Sequence, residues 1–313
     1  MWLVIRSIIL RGAGFTSPPP KCVTIPYNER ERENMRDLAR FLTSSAPTGG
    51  YGVEPLTPSE LKQWREIMSA ERARYGFCPV HAPLLTTDND KLGKSTVPSF
   101  GLSLAPAGTS DIWNVCRYSS PGCRAVCLAT AGNGRYDNVT RARQYRTALL
   151  GDHPALFIRV MAHEIRNLAA KHGEIRFRPN VLADLPWELF APDLFSLTFD
   201  NGDAVPVKNY DYTKWPSDKR GHIPNYRLVG SVHEKHTDSQ IRGMVKDYGS
   251  AAVVFDTLRG KPLPATYTAH NITVIDGDKS DDRTMASETG VIIGLRAKGQ
   301  AIGATGNSFI RTA

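Results

Sequence analysis

The chain has 313 residues, 41% hydrophobic and 22% charged, with a formal net charge of +8. That length can bury a sizeable core as one large α/β domain or two smaller ones, and the composition is that of an ordinary soluble globular protein. Five cysteines, an odd number at low density, exclude a secreted disulfide framework and point to reduced thiols in a cytoplasmic compartment.

The first residues, MWLVIRSIILRG, are too short an apolar run to span a bilayer, and Arg6 interrupts them. No small-residue cleavage site follows before the Pro-rich TSPPP, so a first strand or an untidy start site is expected rather than a signal peptide. With no membrane segment elsewhere, the protein is expected to be soluble, with no membrane among its partners. The positive charge suggests an anionic one, with nucleic acid the obvious candidate. The densest basic group, RARQYR at Arg141 to Arg146, is as easily a solvated helix face.

Residues 1–97 read as an N-terminal extension, partly helical. ERERENMRDLARFL is a short charged helix. A second helix starts after Thr57, with Pro58 at its first position and Glu60 completing a capping box; Leu61, Trp64, Ile67 and Met68 form its apolar face. From residue 98 to 313 strand-like and helix-like pieces alternate. SFGLSLAP is a strand, NVTRARQYRTALL and PALFIRVMAHEIRNLAAKHG are helices, and Gly173 ends the second. EIRFRPNVL, VPVKNYDYTKWP, YRLVGSVHE, AAVVFD, NITVIDGD and GVIIGLRAKG read as further strands, with DLPWELFAPDLF and DSQIRGMVKDYG as helices. Repeated β-then-α units predict a mostly parallel sheet, arranged as a partial or complete TIM-like (β/α) barrel.

Three cysteines are gathered in one loop, Cys116-x6-Cys123-x3-Cys127, directly after the first strand of this region. The carboxyl ends of parallel strands are where such folds bind ligands. Three thiolates can hold three irons of a cubane cluster and leave the fourth iron open. Pro121-Gly122 gives the tight turn that brings Cys123 back toward Cys116, and Gly132 and Gly134 allow close backbone approach. The alternatives are a zinc site completed by Cys78 or His81 from CPVH, or three buried thiols with no metal.

WNVCRYSSPGCRAVCLA resembles the three-cysteine signature W-N-P-x-x-G-C-x6-C-x2-C-Y-A of phage-encoded proteins related to radical S-adenosylmethionine (SAM) enzymes. YDYTKWP, VIDGDKSDDR and GLRAKG resemble a second phage group, the gene product eighty-eight family, which shares the three-cysteine arrangement. The likeness runs from about Gly101 to Gly299. Here the last gap is three residues, Leu128-Ala129 stands for Tyr-Ala, and the C-terminal cysteines frequent in the family are absent. The resemblance implies a radical SAM type of barrel, a [4Fe-4S] cluster on Cys116, Cys123 and Cys127, and SAM at the open iron. It also implies an electron donor and an unknown substrate, a nucleotide or nucleic acid by charge, in the host cytoplasm.

For the cosubstrate the resemblance directs attention to polar groups at successive strand ends. Arg178 and Asp184 bracket the end of IRFRPNVLAD and suit a ribose or amino-acid group, or equally a surface salt bridge. Tyr212 and Lys214 suit an adenine face and a carboxylate, although aromatic strand residues are more often core. Ser231 begins GSVHEKH, where His233, Glu234 and His236 also stand as a conceivable metal site or a solvated strand end. The last cluster, Asp276, Asp278, Asp281 and Asp282, lacks the closing Glu of a calcium loop. It suits a metal-dependent nuclease or, more plainly, an acidic rim. The leading expectation is a radical SAM-like iron–sulfur enzyme; the alternatives are a zinc or iron–sulfur binding module and that nuclease.

Overall fold

The computed structural model describes residues 35–87, 96–110, 112–267, 271–284, 288–304 and 306–312. The apolar start and the TSPPP stretch lie outside them. Of the charged ERERENMRDLARFL segment, the described helix is α1 (Leu38–Ser45), begun by Asp37, whose carboxylate accepts from Arg40 N at 3.1 Å. Helix α2 (Pro58–Arg74) starts as its capping box dictates: Thr57 Oγ1 accepts from Glu60 N at 3.2 Å, and the Glu60 carboxylate accepts from Thr57 N at 2.8 Å. Its apolar face buries Trp64 and Met68.

The main sheet has nine strands: β2 (Leu85–Thr86), β3 (Ser99–Leu102), β5 (Ile175–Arg178), β6 (Val207–Thr213), β7 (Tyr226–Ser231), β8 (Ser250–Phe255), β9 (Thr266–Tyr267), β10 (Ile272–Asp276) and β11 (Val291–Arg296). Two short strands, β1 (Arg36–Asp37) and β4 (Trp113–Asn114), pair in parallel outside it. The sheet order is β2-β3-β5-β6-β7-β8-β11-β10-β9, parallel from β3 to β10, with β2 and β9 antiparallel at the two edges.

From β3 to β8 each strand of the sheet pairs with the next along the chain, as the β-then-α reading expects. The complete barrel is corrected. After β8 the chain reaches β10 near the edge, and β11 then inserts between β8 and β10. The two-residue strands β2 and β9 occupy the outer edges, so the sheet stays open. Among the described residues the helices are also fewer than a regular β-then-α repeat supplies. Helices α4 (Asp137–Asp152) and α5 (Pro154–His172) connect β3 to β5, and α7 (Asp238–Tyr248) connects β7 to β8. The other parallel connections carry the one-turn α6 (Trp187–Phe190), 3-10 turns or strand β9.

Alternation along β5 separates two faces. Ile175 and Phe177 enter the main core with Trp64, Tyr145, Phe157 and Leu185, while Arg176 and Arg178 point away from it. Helices α1 and α2 pack into that same core through Leu38, Leu42, Trp64 and Met68. Trp64 lies edge-on to Phe157 at 6.0 Å. At β5 one side of the sheet is therefore apolar and helix-covered and the other carries charge, while farther along that second side Val229, Ala252 and Ile293 form an apolar cluster with Tyr212, Ile275 and Leu295.

Candidate metal centre

The loop after β3 is drawn across the carboxyl end of β5. Val181 N donates to Leu102 O at 3.1 Å, and Asp184 N donates to Val115 O at 2.9 Å. Asn114 Oδ1 accepts from Cys116 N at 2.9 Å, which fixes the first cysteine. Ser120 and Pro121 then start a five-residue helix, α3 (Pro121–Ala125), with Ser120 Oγ accepting from Cys123 N at 3.2 Å. Cys127 follows that helix. Tyr118 packs on Trp215 from the end of β6, ring centroids 4.7 Å apart, and so holds the turn between Cys116 and Cys123 against the sheet.

Cys116 is buried and Cys123 and Cys127 are partly buried. The three thiols lie within electrostatic range of one another. Burial pushes Cys116 well up, and Asp184, Cys127 and Cys123 add to the rise. Cys127 is raised by burial and then by Cys123. Of the two glycines expected to allow close backbone approach, Gly134 serves the loop's own packing, since a Cβ there would stand 2.5 Å from Ala129 O, whereas Gly132 takes a positive φ of 52° with nothing within 4 Å.

Three of the expected strand-end residues join the thiols. Lys214 leans toward Cys123, and its ammonium donates to Ser231 Oγ at 3.0 Å. Burial works against the Lys214 charge, but Cys123, Asp184 and Cys116 outweigh it and its pKa is raised. Asp184 Oδ2 accepts from Lys214 N at 2.8 Å, and the Asp184 carbonyl accepts from Trp215 Nε1 at 2.9 Å. Cys116, Cys123, Cys127, Asp184, Lys214 and Ser231 thus meet at the carboxyl ends of β3, β5, β6 and β7.

Arg178 and Tyr212 are placed elsewhere, in a buried ionic network closed by the loop after β10. Arg178 donates to Asp281 Oδ2 at 2.8 Å, lies 3.5 Å from Asp211 Oδ1, and stacks over the Tyr212 ring at 4.8 Å. Tyr212 OH accepts from Arg283 Nε at 2.6 Å, and Arg283 also pairs with Glu288. Burial works against the Arg178 charge, yet Asp281 and Asp211 hold its pKa above the usual range. Asp211 is pushed up to about 7, by burial first. The acidic cluster is committed in the same way: Asp276 to Arg296 at 2.8 Å, Asp278 to Lys298 at 2.6 Å, and Asp282 to Arg176 at 2.7 Å. Cys78 and His81 stand against α2 rather than at the cysteine loop. Arg72 Nε reaches Cys78 O at 3.4 Å, and His81 shares a shallow surface hollow with Lys62, Arg65 and Glu66.

Of the further residues around the thiols, Ser120, Asn307 and Phe309 were not singled out from the sequence, and Arg143 stood there only within the basic RARQYR group. Arg143, on α4, donates to Ala129 O at 3.2 Å and to Gly134 O at 3.3 Å, and it lies within electrostatic range of Cys127. Phe309 stands 5.9 Å from Lys214 Nζ, and Asn307 Nδ2 donates to Gly122 O at 3.2 Å. Ser120 carried a local signal, since Ser-Pro before a short helix marks an N-cap. Asn307 and Phe309 carried none, being brought in by the tail that pairs Arg311 with Phe255. His233 and His236 stack 3.6 Å apart beside Lys214, and burial pushes His236 down to about 4.

As a donor set, three soft thiols with a neighbouring ammonium suit iron–sulfur chemistry. As they stand, no group of three or more His, Cys, Asp or Glu side chains among the described residues is arranged to hold a metal ion. No described helix is long and apolar enough to cross a membrane. Among known proteins, the family model described as Gene product 88 matches residues 83–311. No curated protein and no solved structure matches the chain.

Proposed function

The chain belongs to the Gene product 88 family, a phage family, and from that premise we propose that it is a radical SAM-like iron–sulfur enzyme centred on Cys116, Cys123 and Cys127. The observation that carries the reading is the meeting of these thiols with Lys214, Asp184 and Ser231 at the carboxyl ends of neighbouring parallel strands. The sequential run from β3 to β8 supports a partial barrel as the scaffold. When bound, a [4Fe-4S] cluster with one open iron supplies the electron that cleaves SAM reductively.

The chain's own residues do the holding. Cys116, Cys123 and Cys127 would ligate the cluster as thiolates, and Lys214 offsets part of their negative charge. Ser231 orients that ammonium, and Asp184 fixes the backbone from which Lys214 projects. Trp215, through its contact with Tyr118, holds the turn between the first two cysteines against the sheet. Arg178 and Tyr212 stiffen the interior from their own network rather than reaching a cosubstrate. The net charge of +8 fits a nucleotide or nucleic acid as substrate.

The test is anaerobic reconstitution with iron and sulfide, then incubation with SAM and dithionite. Wild type should turn brown, absorb broadly near ~400 nm and form 5′-deoxyadenosine, and Cys123→Ser should do neither. Equal product from wild type and Cys123→Ser above background contradicts the enzyme reading.

A further inference from the structure

Helix α3 buries none of its residues fully and is five residues long, so helix cooperativity does little to fix where it sits, and its apolar anchor is the packing of its own Cys123 against Val126, Ala297, Ala301 and Phe309. We propose that Glu234 is the positioning residue for Cys123, gripping the start of that helix from the loop after β7. This rests on the reading of Cys123 as a cluster ligand.

The grip uses both carboxylate oxygens. Glu234 Oε2 accepts from Ser120 Oγ at 2.5 Å, and Oε1 accepts from Gly122 N at 2.8 Å. Ser120 Oγ in turn accepts from Cys123 N, so one relay runs from the carboxylate to the cysteine backbone. The Gly122 N–H belongs to the first turn of a helix, which has no partner within the helix itself. Bonds to an ionised acceptor are about twice as strong as neutral ones.

The fit leaves no slack at the turn. A Cβ at Gly122 would come within 2.9 Å of the Glu234 carboxylate and 2.7 Å of Asn307 Oδ1. Pro121-Gly122 is therefore held from two sides, by side chains 112 and 185 positions away from Gly122. The loop bearing Glu234 also follows Ser231, the hydroxyl bonded to Lys214. The end of β7 and the loop after it thus meet both Cys123's helix and Lys214, through Glu234 and Ser231.

The experiment is alkylation of the metal-free full-length chain by iodoacetamide, with the rate at Cys123 read by peptide mass spectrometry against exposed Cys78. Glu234→Ala should raise the Cys123 rate about tenfold by freeing the helix start, with Cys116 unchanged. Glu234→Gln keeps an acceptor without the charge and should stay within about twofold of wild type. If Glu234→Gln reacts as fast as Glu234→Ala, charge rather than the grip governs the thiol and the proposal fails. Should Glu234→Ala not fold, Ser120→Ala decides, with about a threefold rise expected. Wild-type rates in Glu234→Ala, or in Ser120→Ala where it decides, overturn the proposal. No iron is present in this assay, so a protein that never binds iron would count against the proposed function and not against Glu234.

Discussion

The cysteine loop and the acidic loop after β10 are both dense in groups that ligate metals, and the fold treats them differently. Each acidic side chain is met by a cation from this same chain: Asp281 by Arg178, Asp282 by Arg176, Asp276 by Arg296 and Asp278 by Lys298. Around the thiols the approaching cations are Lys214 and Arg143, and both have other bonds to make. A buried carboxylate demands a partner because the charged form is costly to desolvate. A thiol can be buried neutral, as the raised pKa of Cys116 reflects, and so can wait for a ligand from outside. The acidic side chains are therefore committed to cations of this same chain, and the cysteine thiols are not.

The sharpest way to break this comparison is to exchange the costs. Asp281→Ala should lose about 3 kcal/mol of stability in urea unfolding, because it strips Arg178 of its closest partner in a buried site. Iron uptake should be unchanged in the folded fraction. Cys123→Ser in the metal-free chain should cost under about 1 kcal/mol, since the side chain is only partly buried. Similar losses in the two variants would remove the distinction.

Glu164 sharpens it from a third position, a carboxyl bonded to two backbone donors with Arg146 within electrostatic range. It accepts from Leu84 N and Leu85 N at 2.9 Å, and burial pushes it from 4.5 up to about 6. A folded-state pKa above the unfolded value means stability that is full below pH 4.5 and lost as pH rises through about 6. Wild type should lose about 2 kcal/mol over that window relative to Glu164→Gln, read by denaturation at each pH. Asp282, with its Arg176 and Thr284 bonds, is shifted downward despite burial. A flat difference between wild type and Glu164→Gln would show that Glu164 bears no such burial cost. The smallest effect belongs to Asp276→Asn, whose pair with Arg296 is partly exposed. It should cost under about 1 kcal/mol and shrink further in salt.

Local signals carried much of this molecule. Thr57, Pro58 and Glu60 announced the start of α2, Gly173 the end of α5, and the apolar runs before Arg178, Lys214 and Ser231 the central strands. What the sequence did not disclose is order across the sheet, because nothing local says that β11 inserts inside β10. The partners of the acidic loop were equally hidden. Arg178 lies 103 positions from Asp281, and the sequence offered it equally as a cosubstrate contact or as half of a salt bridge without naming the partner. Ser120 was readable as a cap, while the Glu234 that grips it stands 114 positions on.

The most direct test of the account is the metal itself. Protein purified and reconstituted without oxygen should hold about four irons and four sulfides per chain, against background in the Cys116, Cys123 and Cys127 triple serine variant. One zinc per chain with no iron, or iron that survives loss of all three cysteines, would contradict it.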